Sequence, residues 1–346
     1  MISLKEKFRT YFRSPSILCF SISITGRCNA NCSYCHFYGM RSKETIKEIW
    51  KDIDDETYRL YINFLKRIKN ALPKNVDLQY RFSGGEPLVL KDRLFELADY
   101  GYKKTGIPPY ILTNGLGITK NWVEKAKKHH IKYLFVSLEN PFNPSAGAPQ
   151  TEKIVAKIKK FNSSKLPIIP GVTIVKNDDF KALYSTCEYF YDELGAIPTI
   201  SELNFQAFED PSRKQIKDLY NNILEIVREF YNKTQLILFP YISPELSCGG
   251  KKQYLLELDI LNKKYCFTGD NIDKKLESVI DHLEKSYPKC YCSKKDCDWF
   301  DFCQNYKWVW NKTFNKMSLK EKQKSYCNLK KTINKSFYNA VKNIKR

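Results

Sequence analysis

Apolar runs and charged, helix-like runs take turns along the first two thirds of this chain, and that alternation limits the folds open to it. Strand-like runs fall at Leu18–Thr25, Asp77–Phe82, Tyr110–Thr113, Tyr133–Leu138, Ile168–Val175 and Ile200–Phe205. Helical periodicity fills the intervals near 54–70, 91–104, 120–129, 151–161, 179–194 and 212–232. Strands separated by helices of this length cannot pair as hairpins. They call for right-handed crossovers and a parallel α/β sheet. In closed or partly closed sheets of this kind, the loops at the C-terminal ends of the strands carry the chemistry.

The loop after the first strand holds three cysteines, Cys28, Cys32 and Cys35, spaced C-x3-C-x2-C. Soft thiolates select iron–sulfur clusters or zinc. Three thiolates can hold three corners of a 4Fe–4S cube and leave the fourth iron open. Zinc would ask for a fourth nearby ligand, for which His36 is available. The second strand ends in Ser83-Gly84-Gly85-Glu86-Pro87. Paired glycines permit close backbone approach to a ligand, and Glu86 can accept hydrogen bonds from an ammonium group. Taken alone, Gly-Gly before Pro reads as a simple turn.

The cysteine loop followed one strand–helix unit later by Gly-Gly-Glu-Pro resembles the radical S-adenosylmethionine (radical SAM) enzymes. The resemblance implies a partial (β/α)6 TIM barrel over residues 16–240, after a short lead-in helix over 1–15. It implies that Cys28, Cys32 and Cys35 hold a 4Fe–4S cluster whose open iron chelates S-adenosylmethionine. One electron would then break the sulfonium to give a 5′-deoxyadenosyl radical. On this resemblance Gly84, Gly85 and Glu86 receive the methionine amino group, and Tyr34 packs on the adenine. Asn114 after the third strand, Ser137 and Glu139 at the fourth, and Asn177 after the fifth would lie near the adenosyl part. Each has a plainer reading, since Asn114-Gly115 is a turn signal in its own right.

Twelve cysteines are many for 346 residues, and seven lie after residue 247: Cys248, Cys266, Cys290, Cys292, Cys297, Cys303 and Cys327. The N-terminus carries no secretory signal pattern, and no apolar run reaches the length of a membrane span. A cytoplasmic location is therefore expected. In that compartment clustered cysteines bind metal more often than they form disulfides. Gln253–Ile260 and Lys263–Phe267 alternate around Leu261-Asn262 and read as a β-hairpin, with Cys266 on its second arm and a helix near 272–287 to follow. This region, 241–330, resembles the SPASM extension of peptide-modifying radical SAM enzymes, which implies a small cysteine-rich domain with one or two auxiliary 4Fe–4S clusters. The spacing departs from that family's usual pattern, with Lys307 in one expected ligand slot. Residues 331–346 read as a basic tail. Cys19 and Cys187 read as small buried hydrophobes.

The formal charge is +20, which favours acidic partners such as an acidic leader peptide. A nucleic acid partner is not expected, because no RNA-binding motif accompanies the charge. By resemblance the enzyme oxidatively modifies a ribosomally made peptide, through a thioether, a C–C or C–O crosslink or a dehydrogenation. Its electron donor would be a flavodoxin or ferredoxin. A separate leader-binding module has no room before the barrel. The rival readings are a small-molecule dehydrogenase of the same mechanism, an RNA-modifying enzyme, and a structural metal-binding protein.

Overall fold

The computed structural model describes residues 16–33, 35, 47–48, 50–142, 144, 146–173, 183–195, 199–201, 213–234, 252–258 and 339. They fall into two compact units.

The first unit is built on a parallel sheet. Its strands are β1 (Ser16–Thr25), β2 (Val76–Gly84), β3 (Tyr110–Thr113), β4 (Leu134–Leu138) and β5 (Ile168–Thr173), in the spatial order β5-β4-β3-β2-β1. β1 pairs in parallel with β2, β2 with β3, and β3 with β4. Helices α1 (Asp55–Ala71), α2 (Asp92–Thr105), α3 (Lys120–Ala126) and α4 (Thr151–Phe161) occupy the intervals. The expected α/β alternation is thus present, and it is the parallel arrangement of a partial TIM barrel.

Local chemistry explains the elements. Asp54 caps α1 by accepting the Thr57 N–H at 2.7 Å, Asp55 and Glu56 occupy its first turn, and Lys69 its last, all favourable against the helix dipole. The buried face of α1 (Tyr58, Tyr61, Ile62, Phe64, Leu65, Ile68) lies against the sheet, with Phe64 edge-on to Phe20 and Tyr58 edge-on to Phe82. α3 stops at Ala126, short of the expected 129. The chain tightens there into i→i+3 bonds (Lys128 N–H to Lys125 O, His129 N–H to Ala126 O), and the rings of His129 and His130 both engage the Asp99 carboxylate of α2.

A further strand, β7 (Lys252–Leu258), lies on the other edge of β1, parallel to it, with Ile17 opposite Gln253 and Ile22 opposite Leu258. This pairing uses one edge of the run that the sequence reads as the first arm of a hairpin, Gln253–Ile260. Alternating hydrophobicity reports a half-buried strand but not its partner, and on this edge the partner is β1. The expected second arm lies outside the described residues.

The second unit contains α5 (Leu183–Leu194), β6 (Thr199–Ser201) and α6 (Arg213–Thr234). The two helices meet through Phe190, Val227 and Phe230, all buried, with Tyr184 and Tyr191 edge-on to Phe230. Lys233 reaches across to Glu188 (2.6 Å) and Asp192 (3.3 Å). Cys19 in β1 and Cys187 in α5 are fully buried, as small hydrophobes would be. Among the described residues no helix is long and apolar enough to cross a membrane.

Candidate active site at the ends of strands one to four

The cysteine loop leaves the C-terminal end of β1, and its root is held tightly. Gly26 donates its N–H to Lys51 O (2.8 Å), and Ile53 donates to Ile24 O (2.9 Å). Arg27 grips Asp52 with two parallel bonds, Nε to Oδ1 at 2.9 Å and Nη2 to Oδ2 at 2.6 Å, while Thr25 Oγ1 donates to the same Oδ1. A bidentate fork fixes direction as well as distance.

Beneath the loop runs the Gly-Gly-Glu-Pro segment. Gly84 has φ +124°, and a Cβ there would sit 2.1 Å from the carbonyl oxygen of Thr25. The close approach that its missing side chain permits is made to the neighbouring strand. Gly85 N–H donates to Thr25 O (2.8 Å) and Glu86 N–H to Arg27 O (2.7 Å), so the segment is stitched to the base of the cysteine loop.

Glu86 is buried, and its carboxylate accepts three bonds from the chain itself: Leu88 N–H (3.0 Å), Thr113 Oγ1–H (2.6 Å) and Asn114 N–H (2.7 Å). Burial raises its pKa even against these donors. The carboxylate therefore joins the start of a short 3-10 turn (Pro87–Leu90) to the end of β3.

Asn114 sits on that end, half-buried. Its Oδ1 accepts the Leu116 N–H (2.9 Å), and its Nδ2 donates to Asn29 Oδ1 (2.9 Å) and lies 3.9 Å from Cys28 Sγ. The structure thus brings this residue directly to the cysteine loop. Ser137, on β4, is half-buried on the strand face shared with Phe135. Glu139, one residue past β4, is buried, and its charge raises the pKa of Cys32. Tyr34, Asn177 and the seven cysteines from Cys248 to Cys327 lie outside the described residues.

One contact was not foreseen from the sequence. The segment after β4 straps the middle of the cysteine loop: Asn31 N–H donates to Gly147 O (3.2 Å) and Ser33 N–H to Ala146 O (2.9 Å). Gly147 has φ +75°, and a Cβ there would fall 1.9 Å from Asn31 O. The available signal was a glycine among small residues, Ser145-Ala146-Gly147-Ala148, which by itself marks only a turn.

The three thiols are all half-buried. Burial is the main cause that raises Cys28, offset in part by the Ala30 N–H donated to its sulfur at 3.4 Å. Cys32 is pushed up to about 11, first by burial and then by the charges of Cys35, Glu139 and Cys28. Bare, these two thiols hold their protons at neutral pH, whereas a coordinating metal would deprotonate them outright. No three His, Cys, Asp or Glu side chains among the described residues converge as a single ion would need. A cube puts each thiolate on a different iron and asks for no such convergence. Three soft donors on one loop, with two N–H groups aimed at Cys28, fit a 4Fe–4S cluster.

The family model of the radical SAM superfamily matches residues 22–187. Over those residues the chain is similar to the radical SAM superfamily. The match runs from within β1 into α5 and takes in the cysteine loop, Gly-Gly-Glu-Pro, Asn114 and Glu139. Among curated proteins, the chain is 30% identical over 165 residues to GTP 3',8-cyclase of Clostridium botulinum (strain Okra / Type B1), covering 46% of this chain and 48% of that protein. The chain thus spans about half the length of such relatives. Among solved structures, "Native anSMEcpe with bound AdoMet and Cp18Cys peptide" has a TM-score of 0.62 at 17% identity, covering 95% of this chain and 99% of that one. Streptococcus suis SuiB bound to precursor peptide SuiA has a TM-score of 0.55 at 15% identity, covering 88% and 75%. At these identities the two structures speak for the fold alone.

Proposed function

We propose that this protein is a radical SAM enzyme that reductively cleaves S-adenosylmethionine and uses the resulting 5′-deoxyadenosyl radical to modify a ribosomally made peptide oxidatively. The observation that carries the reading is the cysteine loop at the end of β1, stitched to Gly84–Glu86 below and strapped by Ala146–Gly147 beside it. When bound, a 4Fe–4S cluster supplies one electron to the sulfonium and a site for the amino acid end of the cofactor. Cys28, Cys32 and Cys35 would hold it. Two buried carboxylates, Glu86 and Glu139, stand within electrostatic reach of Cys28 and Cys32. They favour a cationic guest, and S-adenosylmethionine brings both an ammonium and a sulfonium. Gly85, Asn114 and Ser137 border the same end of the sheet, and Tyr34 and Asn177 join the proposal as cofactor contacts on resemblance.

The seven cysteines after residue 247 are proposed to hold one or two auxiliary clusters that take up the electron when the product radical is oxidised. The likeness of fold to anSMEcpe and SuiB, both solved with peptides, supports a peptide substrate, and the charge of +20 suits an acidic leader. A flavodoxin or ferredoxin would deliver the first electron. A second reading, cyclisation of a purine nucleotide, is favoured by the identity to GTP 3',8-cyclase.

The test is anaerobic reconstitution, reduction with dithionite and assay of 5′-deoxyadenosine with S-adenosylmethionine. Product should form, and should vanish in the Cys28→Ala, Cys32→Ala, Cys35→Ala triple variant. The iron left in that variant counts the auxiliary clusters, about four per cluster. A peptide encoded beside this gene, and not GTP, should stimulate turnover and change mass. Stimulation by GTP alone would transfer the protein to the second reading. Bound zinc with no product would leave a structural metal protein.

A further inference from the structure

We infer that Asn114 is a tuning residue: its side-chain amide, aimed by Asn29, donates to the Cys28 sulfur and sets the potential at which the three-cysteine cluster is reduced. The inference rests on the reading that this loop holds a 4Fe–4S cluster.

The amide cannot be turned the other way. Its oxygen must face the Leu116 N–H, which is donor only, at 2.9 Å. The nitrogen is thereby directed at Asn29 Oδ1 (2.9 Å) and Cys28 Sγ (3.9 Å). The turn that carries Asn114 is braced on every side. Its backbone N–H is held by Glu86 Oε2 at 2.7 Å, Ile118 N–H closes the turn on Gly115 O at 3.2 Å, and Lys157 Nζ reaches the carbonyl oxygens of Leu116 (2.7 Å) and Gly115 (3.4 Å). A side chain fixed this way meets its target without reorganising.

With the Ala30 N–H already on the same sulfur at 3.4 Å, two donors converge on Cys28. No described side chain donates to the sulfurs of Cys32 or Cys35 in this manner. Hydrogen bonds to cluster sulfurs are one of the levers that set the potential. Reduction adds negative charge to the cluster and its thiolates, so a donor on Cys28 favours the reduced form.

The test is an EPR-monitored redox titration of the reconstituted full chain, following the reduced signal that shifts when S-adenosylmethionine is added. Asn114→Ser keeps a neutral acceptor for the Leu116 N–H but is too short to reach Cys28. Its reduced-to-oxidised ratio at fixed potential should fall about tenfold, equivalent to about 59 mV for one electron. Asn29→Ala, which removes only the aim, should shift it the same way by less. A full iron complement with an unmoved midpoint in both variants would overturn the inference. If Asn114→Ser fails to load iron, the Asn29→Ala midpoint decides. A wild-type protein with no S-adenosylmethionine-responsive signal would instead sink the underlying cluster reading.

Discussion

The two faces of the β1–β4 sheet are both sheltered, yet they are made of different material. The face turned to the helices carries Leu18, Phe20, Ile22, Tyr80, Phe82, Ile111, Leu134 and Val136, all buried, with aromatic rings meeting edge-on across the layer. The opposite face carries Cys19, Ser21, Arg81, Ser83, Tyr110 and Ser137, all but the last joined by polar contacts. Cys19 Sγ lies 3.3 Å from Tyr110 Oη, Ser21 Oγ bonds Ser83 Oγ at 2.8 Å, and Arg81 Nε donates to Ser21 Oγ at 3.0 Å. The first face supplies hydrophobic stabilisation, which is indifferent to direction. The second holds directional groups that a packed apolar core would not need. Apolar packing and directional contacts are thus assigned to opposite sides of the same strands, and the loops at their ends inherit a rigid base.

The division can be broken most severely from the outer side. Phe64→Ala should cost about 3–5 kcal/mol, because the ring is fully buried and edge-on to Phe20. Urea unfolding would show a lower midpoint, and a loss below about 1 kcal/mol would mean that this layer is not the main core. On the inner face, Ser21→Ala should cost only about 2 kcal/mol, chiefly by leaving the Arg81 Nε–H without its acceptor. Its effect on 5′-deoxyadenosine formation should exceed its effect on stability, which the paired assays would show.

The smallest effect belongs to the rim of the outer layer. Asp54→Ala should cost about 1 kcal/mol as a lost helix cap. The Thr57 N–H is the main cause that holds the Asp54 carboxyl below its ordinary value. A lowered folded-state pKa contributes stability above the unfolded value, about 3.9, and loses it as pH falls through the lowered one. The gap between wild type and variant should therefore close in acid, and a gap that persists there would point to packing rather than charge.

Much of this was readable in the residues. The strands at Leu18, Asp77, Tyr110 and Tyr133 and the helices between them stand within a few residues of where periodicity puts them, because each buries one apolar face. Cys28, Cys32 and Cys35 and the Gly-Gly-Glu-Pro segment declare themselves by residue type. What periodicity does not carry is partnership. The 252–258 run alternates equally well as a hairpin arm or as the neighbour of β1. The Arg27–Asp52 fork, the Lys157 brace and the Gly147 strap each depend on a residue distant in sequence that the fold brings near. Glu86 shows the same limit from another side. Its residue type marks a carboxylate, but that Leu88, Thr113 and Asn114 converge on it is decided by the fold.

The Gly147 strap also bears on how the protein is made. Asn31 and Ser33 leave the ribosome more than a hundred residues before their partners Ala146 and Gly147. At ordinary elongation rates that interval is on the order of ten seconds. Throughout it the nascent cysteine loop lacks the segment that shapes it, with its thiols open to oxidants and stray metals. If these cysteines hold the proposed cluster, its delivery is best timed after β4 and its following segment have emerged, which makes maturation a matter of biosynthetic order as well as of ligand chemistry.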